Sequence, residues 1–201
     1  MARSAAIALA VAALAAAPSA SGQSTIGRPG DRVPSVLELE PHLLAAPLDP
    51  PGNGSGAGFG AGVRASYEIV REGFVPSIND SVSIGVGADF LHYQGSGIVA
   101  PGACTRFAPG PGGTNVCVEV SQRGGPSNYA FLPLTMQWSF WLSRQWSVFG
   151  EPGITLYWFD YRSLGAFPAL FVGGRFRLSD VLAITLRLGY PTFSAGVSFF
   201  L

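Results

Sequence analysis

The amino-acid sequence predicts an all-β chain, an eight-stranded antiparallel transmembrane β-barrel, and three of its features lead there. The first is the end of the chain. Thr192-Phe-Ser-Ala-Gly-Val-Ser-Phe-Phe-Leu201 alternates polar or small residues with apolar ones up to an aromatic pair beside the terminus. Terminal residues of soluble domains usually fray, so a strand whose last residues are its most hydrophobic needs a surface to bury them, and a bilayer provides one. The second is recurrence. The same period of two, the signature of a strand with two unlike faces, returns in stretches close to the roughly ten residues that cross a bilayer when tilted by about 45°. The third is that, beyond the first apolar run, no stretch approaches the roughly 20 residues of a spanning helix. The longest candidate, 129–142, carries Thr135, Gln137 and Ser139 at every second position.

The N-terminus reads as an export signal. Arg3 precedes the apolar run Ala5 to Ala17, and Pro18-Ser-Ala-Ser-Gly-Gln23 supplies the small residues that a signal peptidase cuts. We expect residues 1–22 to be a signal peptide, 23–34 a flexible periplasmic N-terminus and 35–201 the barrel. Charged residues make up 12% of the chain and apolar ones 48%, with 27 Gly and 16 Pro, a composition that excludes disorder and suits strands and turns better than helices. Formal net charge is zero, which leaves no electrostatic footprint for nucleic acid.

Eight strands are expected at 35–45, 57–70, 81–93, 129–142, 146–158, 167–178, 181–190 and 192–201. The first contains Pro41, which removes a ladder donor. It is retained because Leu37, Leu39 and Leu43 still alternate with Glu38, Glu40 and His42, and a chain with both ends in the periplasm needs an even number of strands. With the C-terminus periplasmic, 143–145 and 179–180 become inner turns, expected to be short, while 94–128 and 159–166 become outer loops. Two connections fit less well: 71–80 is long for an inner turn, and Tyr190-Pro191 is short for an outer loop.

Parity then divides the side chains. Phe59, Val63, Val82, Ile84, Phe90, Leu134, Met136, Trp138, Ile154, Leu170, Val172, Ile184, Leu186, Val197 and Phe199 are assigned to lipid. The lumen receives Glu38, Glu40, His42, Arg64, Ser66, Glu68, Asp89, Thr135, Gln137, Glu151, Arg175, Arg177, Thr185, Arg187 and Ser198. An arginine on the lipid face costs roughly 2–4 kcal/mol near the midplane, so the opposite register would expose Arg64, Arg175, Arg177 and Arg187 at a combined cost on the order of 10 kcal/mol. Inside, carboxylates and guanidiniums nearly balance, which predicts a charge network packed into an interior only wide enough for side chains. Trp141, Trp146, Trp158, Tyr129, Tyr93 and Tyr190, near strand ends, are assigned to the interfacial aromatic girdles.

Cys104 and Cys117 lie in a Gly- and Pro-rich stretch that predicts neither strand nor helix. In an exported chain they are expected to pair, since the compartment is oxidising and no histidine or second cysteine pair is near enough to make a metal site. The chemistry of catalysis is sparse. His92 falls on the lipid-facing parity beside Ser96 while Asp89 falls on the other, and His42 reads as a member of the lumen network rather than a general base. No metal-ligand spacing, phosphate loop or nucleophile elbow is present, so no cofactor and no enzymatic activity are expected.

The chain resembles the small bacterial outer-membrane β-barrels, the broad OmpA-like and OmpX-like group, over about residues 35–201. The most specific element is a C-terminal assembly signal, matched in order by Ser194, Gly196, Phe199 and Leu201. It departs from the usual pattern by ending in Leu201 with phenylalanine one place earlier. The resemblance implies residence in the outer membrane, contact with outer-membrane lipid, insertion by the barrel-assembly machinery and a role carried by extracellular loops, with the extracellular ligand unspecified. A small channel or hydrophobic-ligand conduit, a lipid-modifying enzyme and a soluble lipocalin-like barrel are the competing readings.

Overall fold

The computed structural model describes residues 32–201 apart from 53, 76, 96–99, 124 and 161–162; the expected signal peptide and most of the expected N-terminal tail lie outside the described residues. The strands are β1 (Leu37–Ala46), β2 (Gly58–Val70), β3 (Asp80–Tyr93), β4 (Ala100–Pro109), β5 (Asn115–Arg123), β6 (Ser127–Trp141), β7 (Trp146–Phe159), β8 (Ser163–Arg177), β9 (Leu182–Gly189) and β10 (Phe193–Phe200). Eight of them close into an antiparallel barrel in the order β1-β10-β9-β8-β7-β6-β3-β2, the architecture of a transmembrane β-barrel, while β4 and β5 form a separate two-stranded sheet.

Closure rests on β1 against β10, where Glu38 faces Phe200 and Leu39 faces Phe199. Just below it, Leu201 accepts from Val36 N (2.8 Å) and Leu37 N (3.0 Å) and donates to Leu37 O (2.8 Å). The terminal leucine is thereby part of the seam. Pairing of β1 with β2 is continuous through Pro41, but the register with β10 lapses between Leu39 and His42, the place where proline offers no donor. One missing rung on one side is tolerated because the other side is unbroken.

The wall is apolar outside and polar inside. Leu43, Phe59, Ile84, Leu170, Val172, Leu186 and Leu188 are among the exposed outward residues, whereas Arg64, Arg175, Arg177 and Arg187 are buried inward. Four expectations need correction. Val82 has the lipid-facing parity yet is fully buried. On that same outward parity, the Asp80 carboxylate accepts from Trp138 Nε1 (2.7 Å) and from Phe74 N (3.1 Å), and Phe74 lies edge-on against Trp138. The long connection 71–79 is held against the wall by these bonds. Its length, anomalous for a turn, is therefore used as a cover.

Tyr93, Tyr129 and Trp141 are the second correction. They are not girdle residues: all three are buried in the interior, because each shares the inward parity of its strand. Trp146 is exposed and Trp158 half-buried on the outward parity, whereas Tyr190, although 45% exposed, lies edge-on against the inward-facing Phe167 at the barrel's end. The third concerns 94–128, which contains β4 and β5 rather than irregular chain throughout. The glycines and prolines concentrate in the turn, where Gly112 and Gly113 take positive φ, and leave Val116, Val118 and Val120 alternating in β5. The connection 159–166 is also shorter than expected, since β8 begins at Ser163.

Candidate functional site: a filled lumen and an exposed hairpin

We call the end of the barrel that carries Leu37 and Leu201 the terminal end and the opposite one the loop end. Between them the interior is filled in three layers. The middle layer is ionic. Arg187 grips Glu40 through Nη1 to Oε1 (2.6 Å) and Nη2 to Oε2 (3.0 Å), and Glu151 through Nε to Oε2 (2.9 Å) and Nη2 to Oε1 (3.1 Å). Arg64 Nη1 shares Glu151 Oε2 at 2.7 Å, and its Nη2 approaches Asp89 Oδ2 at 3.9 Å. His42 is held between the Asp89 carboxylate (3.0 Å) and the Glu40 carbonyl (3.1 Å). The planar guanidinium fork allows one arginine to satisfy two carboxylates at once.

Aromatic rings complete this layer. The Arg187 and Arg175 guanidiniums lie 5.1 and 4.3 Å from the Phe149 ring centroid, and that of Arg64 lies 5.0 Å from Phe171. Neither phenylalanine was singled out from the sequence, although both share the inward parity of Glu151 and Arg175. The signal was present, but apolar residues at polar-parity positions read as noise. Room for the rings comes from glycine. A side chain at Gly173 would run into Phe149, and one at Gly189 into Phe171.

At the terminal end, Arg175 pairs with Glu38 at 2.7 Å, and Arg32, ahead of the first strand, pairs with Glu68 at 2.6 Å and donates to the Arg71 carbonyl at 3.0 Å. The described end of the N-terminal tail is thus drawn into the barrel mouth. Arg177 stacks over Phe200 at 4.1 Å and Trp141 at 5.0 Å and donates to the Asp180 carbonyl at 3.3 Å. At the loop end the filling turns apolar, with Leu44, Ala46, Leu91, Tyr93, Tyr129 and Phe131 forming a cluster against Tyr157, Phe159 and Phe167. The 47–57 connection closes over it. Tyr129 OH donates to Pro51 O (2.9 Å) and accepts from Gly54 N (3.1 Å), and Tyr190 OH donates to Asp49 O (3.2 Å). Two cavities lined by lumen residues, one toward each end, measure about 20 and 10 Å³, room for single water molecules.

The remaining site residues are placed as follows. His92 lies outside the barrel, donating from Nδ1 to Asn128 Oδ1 (3.0 Å) with Phe59 edge-on at 5.8 Å, on the opposite face from Asp89, while Ser96 lies outside the described residues. With both His42 nitrogens occupied by Asp89 and Glu40, neither is free to activate a nucleophile. Ser194 is buried, Gly196 lies against His42 and Glu40, and Phe199 and Leu201 are exposed. Among the described residues no group of three His, Cys, Asp or Glu side chains is arranged to hold a metal ion.

The second candidate site is the β4–β5 hairpin. Cys104 and Cys117 form a disulfide across it, and Arg106 stands opposite Glu119. Phe107, Val116, Val118 and Val120 are all exposed. The two strands pair with each other and with no strand of the barrel. Residues 111–120 are exposed throughout, so this ribbon is a surface rather than a piece of core.

No family model matches the chain, and no curated protein matches it in sequence. Solved structures with a similar fold include a de novo designed transmembrane β-barrel, 11% identical over 84% of this chain and 97% of that one, with a TM-score of 0.43. They also include Ail, the attachment invasion locus protein of Yersinia pestis, 10% identical over 83% of this chain and 99% of that one, with a TM-score of 0.47. A structure of Ail with the heparin analogue sucrose octasulfate gives 10% identity, 83% and 99% coverage and a TM-score of 0.46.

Proposed function

We propose that the chain is an integral outer-membrane protein of the OmpA-like and OmpX-like kind, whose filled barrel is a support and whose loop end, chiefly the β4–β5 hairpin, is the interaction surface. The observation that carries this is the inverted polarity of the wall together with the closed interior. Leucine, isoleucine and phenylalanine cover the outside while ten lumen groups from Glu38 to Arg187 are charged or ionisable. That distribution is stable only where the outside is hydrocarbon. The C-terminal residues Ser194, Gly196, Phe199 and Leu201 serve as the signal read by the barrel-assembly machinery, and outer-membrane lipid is the surrounding partner. The role is non-enzymatic and uses no cofactor; the occupied nitrogens of His42 support this.

An exposed apolar ribbon on a membrane protein is a feature of binding sites, and its disulfide limits the conformational freedom that binding would otherwise remove. The test is to insert an epitope between Gly112 and Gly113. Antibody should label intact cells, and the protein should fractionate with the outer membrane. Labelling only after permeabilisation would reverse the orientation. A steady conductance of porin size from the purified protein would favour the channel reading instead.

A further inference from the structure

We propose that the terminal end of the barrel carries a binding cleft for a phospholipid headgroup bearing a phosphate and an amine. Arg177 motivates it. Every other lumen arginine has a carboxylate within ion-pair distance: Arg64 and Arg187 share Glu151, and Arg175 holds Glu38. Arg177, only 4% exposed, has no such partner among the described residues, and its Nε and Nη2 find no hydrogen bond. Glu38 and Asp180 attract it only from beyond ion-pair distance, and a buried cation without a close counter-charge is costly. An anion arriving from outside the chain would remove that cost.

The place for the anion adjoins it. A cleft of about 430 Å³ opens between the turns 142–145 and 178–181, lined by Ser143, Arg144, Gln145, Arg177, Ser179 and Asp180. The two turns are tied together by Arg177 N donating to Gln145 O at 2.8 Å, so the cleft has a fixed back wall. Arg144 supplies a second, exposed cation from the opposite lip. The carboxylate of Asp180 makes no ion pair with Arg177, whose contact is with the Asp180 carbonyl.

Two cations and one carboxylate match a zwitterionic group, with phosphate at Arg144 and Arg177 and ammonium at Asp180. The rim identifies the source of that group. Turns are ordinarily polar, yet Leu142, Trp146, Leu178 and Val181 are exposed on either side of these two, and Trp146 packs on Phe176 at 4.7 Å. An aromatic and aliphatic rim around a cationic cleft suits the boundary between headgroups and acyl chains. Free phosphate would satisfy the arginines but would make no use of the apolar rim.

The assignment rests on the membrane reading, and the test separates the two. Purified full-length mature protein in nonionic detergent is analysed by native mass spectrometry with added phosphatidylethanolamine, phosphatidylcholine or inorganic phosphate. The wild type should retain one phosphatidylethanolamine at least fivefold more tightly than phosphatidylcholine, whose methylated cation cannot donate to Asp180. Arg144→Gln should weaken retention at least fivefold, Asp180→Asn should abolish the preference between the two lipids, and Arg71→Gln, in another turn at the same end, should change neither. Equal retention of both lipids, indifferent to Arg144→Gln, overturns the cleft. Phosphate binding that depends on Arg144 with no lipid preference assigns it to a free anion and overturns the lipid source. Arg144 is exposed, so its variant is expected to fold even where Arg177→Gln does not. A protein that stays monodisperse without detergent would refute the membrane reading itself.

Discussion

Arg187 is a single side chain that two carboxylates depend on. Four of its N–H donors hold Glu40 and Glu151 at once, so its removal leaves Glu40 without its arginine and Glu151 with Arg64 alone. For a fully buried pair, loss of one partner costs about 3–5 kcal/mol, and Arg187→Ala should reach at least that range in unfolding measurements on detergent-solubilised protein. A loss below about 1 kcal/mol would mean that water already solvates this layer. Arg175→Ala should also lower the melting temperature, and adding Glu38→Gln should restore part of the loss, because the Glu38 carboxylate would no longer be left buried without its cation. Unequal but strictly additive effects would show that the two groups do not interact.

At the scale of the element, period two made the eight barrel strands legible in the sequence, and the parity that separated Glu38, Glu40 and His42 from Leu37, Leu39 and Leu43 holds in β1. Parity says which way a side chain points, not what lies beyond it. That is why Val82 was placed in lipid when the 71–79 connection covers it, and why Tyr93, Tyr129 and Trp141 were sent to the girdle by residue type against their own parity. The hairpin was missed for a different reason: glycine and proline were counted over a whole segment, although they punctuate its ends and turn. The pairing partners in the lumen were beyond reach, since register and barrel shear decide which arginine meets which carboxylate. Two measurements address elements directly. Replacing both Cys104 and Cys117 by serine should leave the melting temperature of the barrel unchanged while trypsin cuts faster after Arg106, because the hairpin shares no strand pairing with the barrel; a barrel that melts substantially lower would show that the two are coupled. Gly173→Val should collapse refolding yield, since its side chain would enter the space of Phe149 and the Leu186 carbonyl, and a variant that refolds normally would show that the ring can move.

The whole molecule is a closed hydrogen-bonded cylinder with ionic, polar and aromatic stoppers along its axis, and two bulk properties follow. Unheated protein should run ahead of boiled protein on SDS gels, because the barrel sheet has no edge open to detergent. Planar bilayers containing it should show no large steady conductance, since the charged layer and the Tyr129 cluster close the axis in series; persistent openings of porin size would show that these layers are mobile. The charge network also has a meaning for assembly. Arg187 and Glu40 are 147 residues apart in sequence, and Arg175 finds Glu38 on the same first strand. A sheet that closed early, β10 onto β2, would shut out β1 and with it Glu38, Glu40 and His42, leaving a seven-stranded ring with an excess of positive charge inside hydrocarbon. Charge balance in the lumen therefore depends on joining the first strand to the last, across 147 residues of sequence, and a ring closed without β1 would carry the cost of unpaired arginines in its interior.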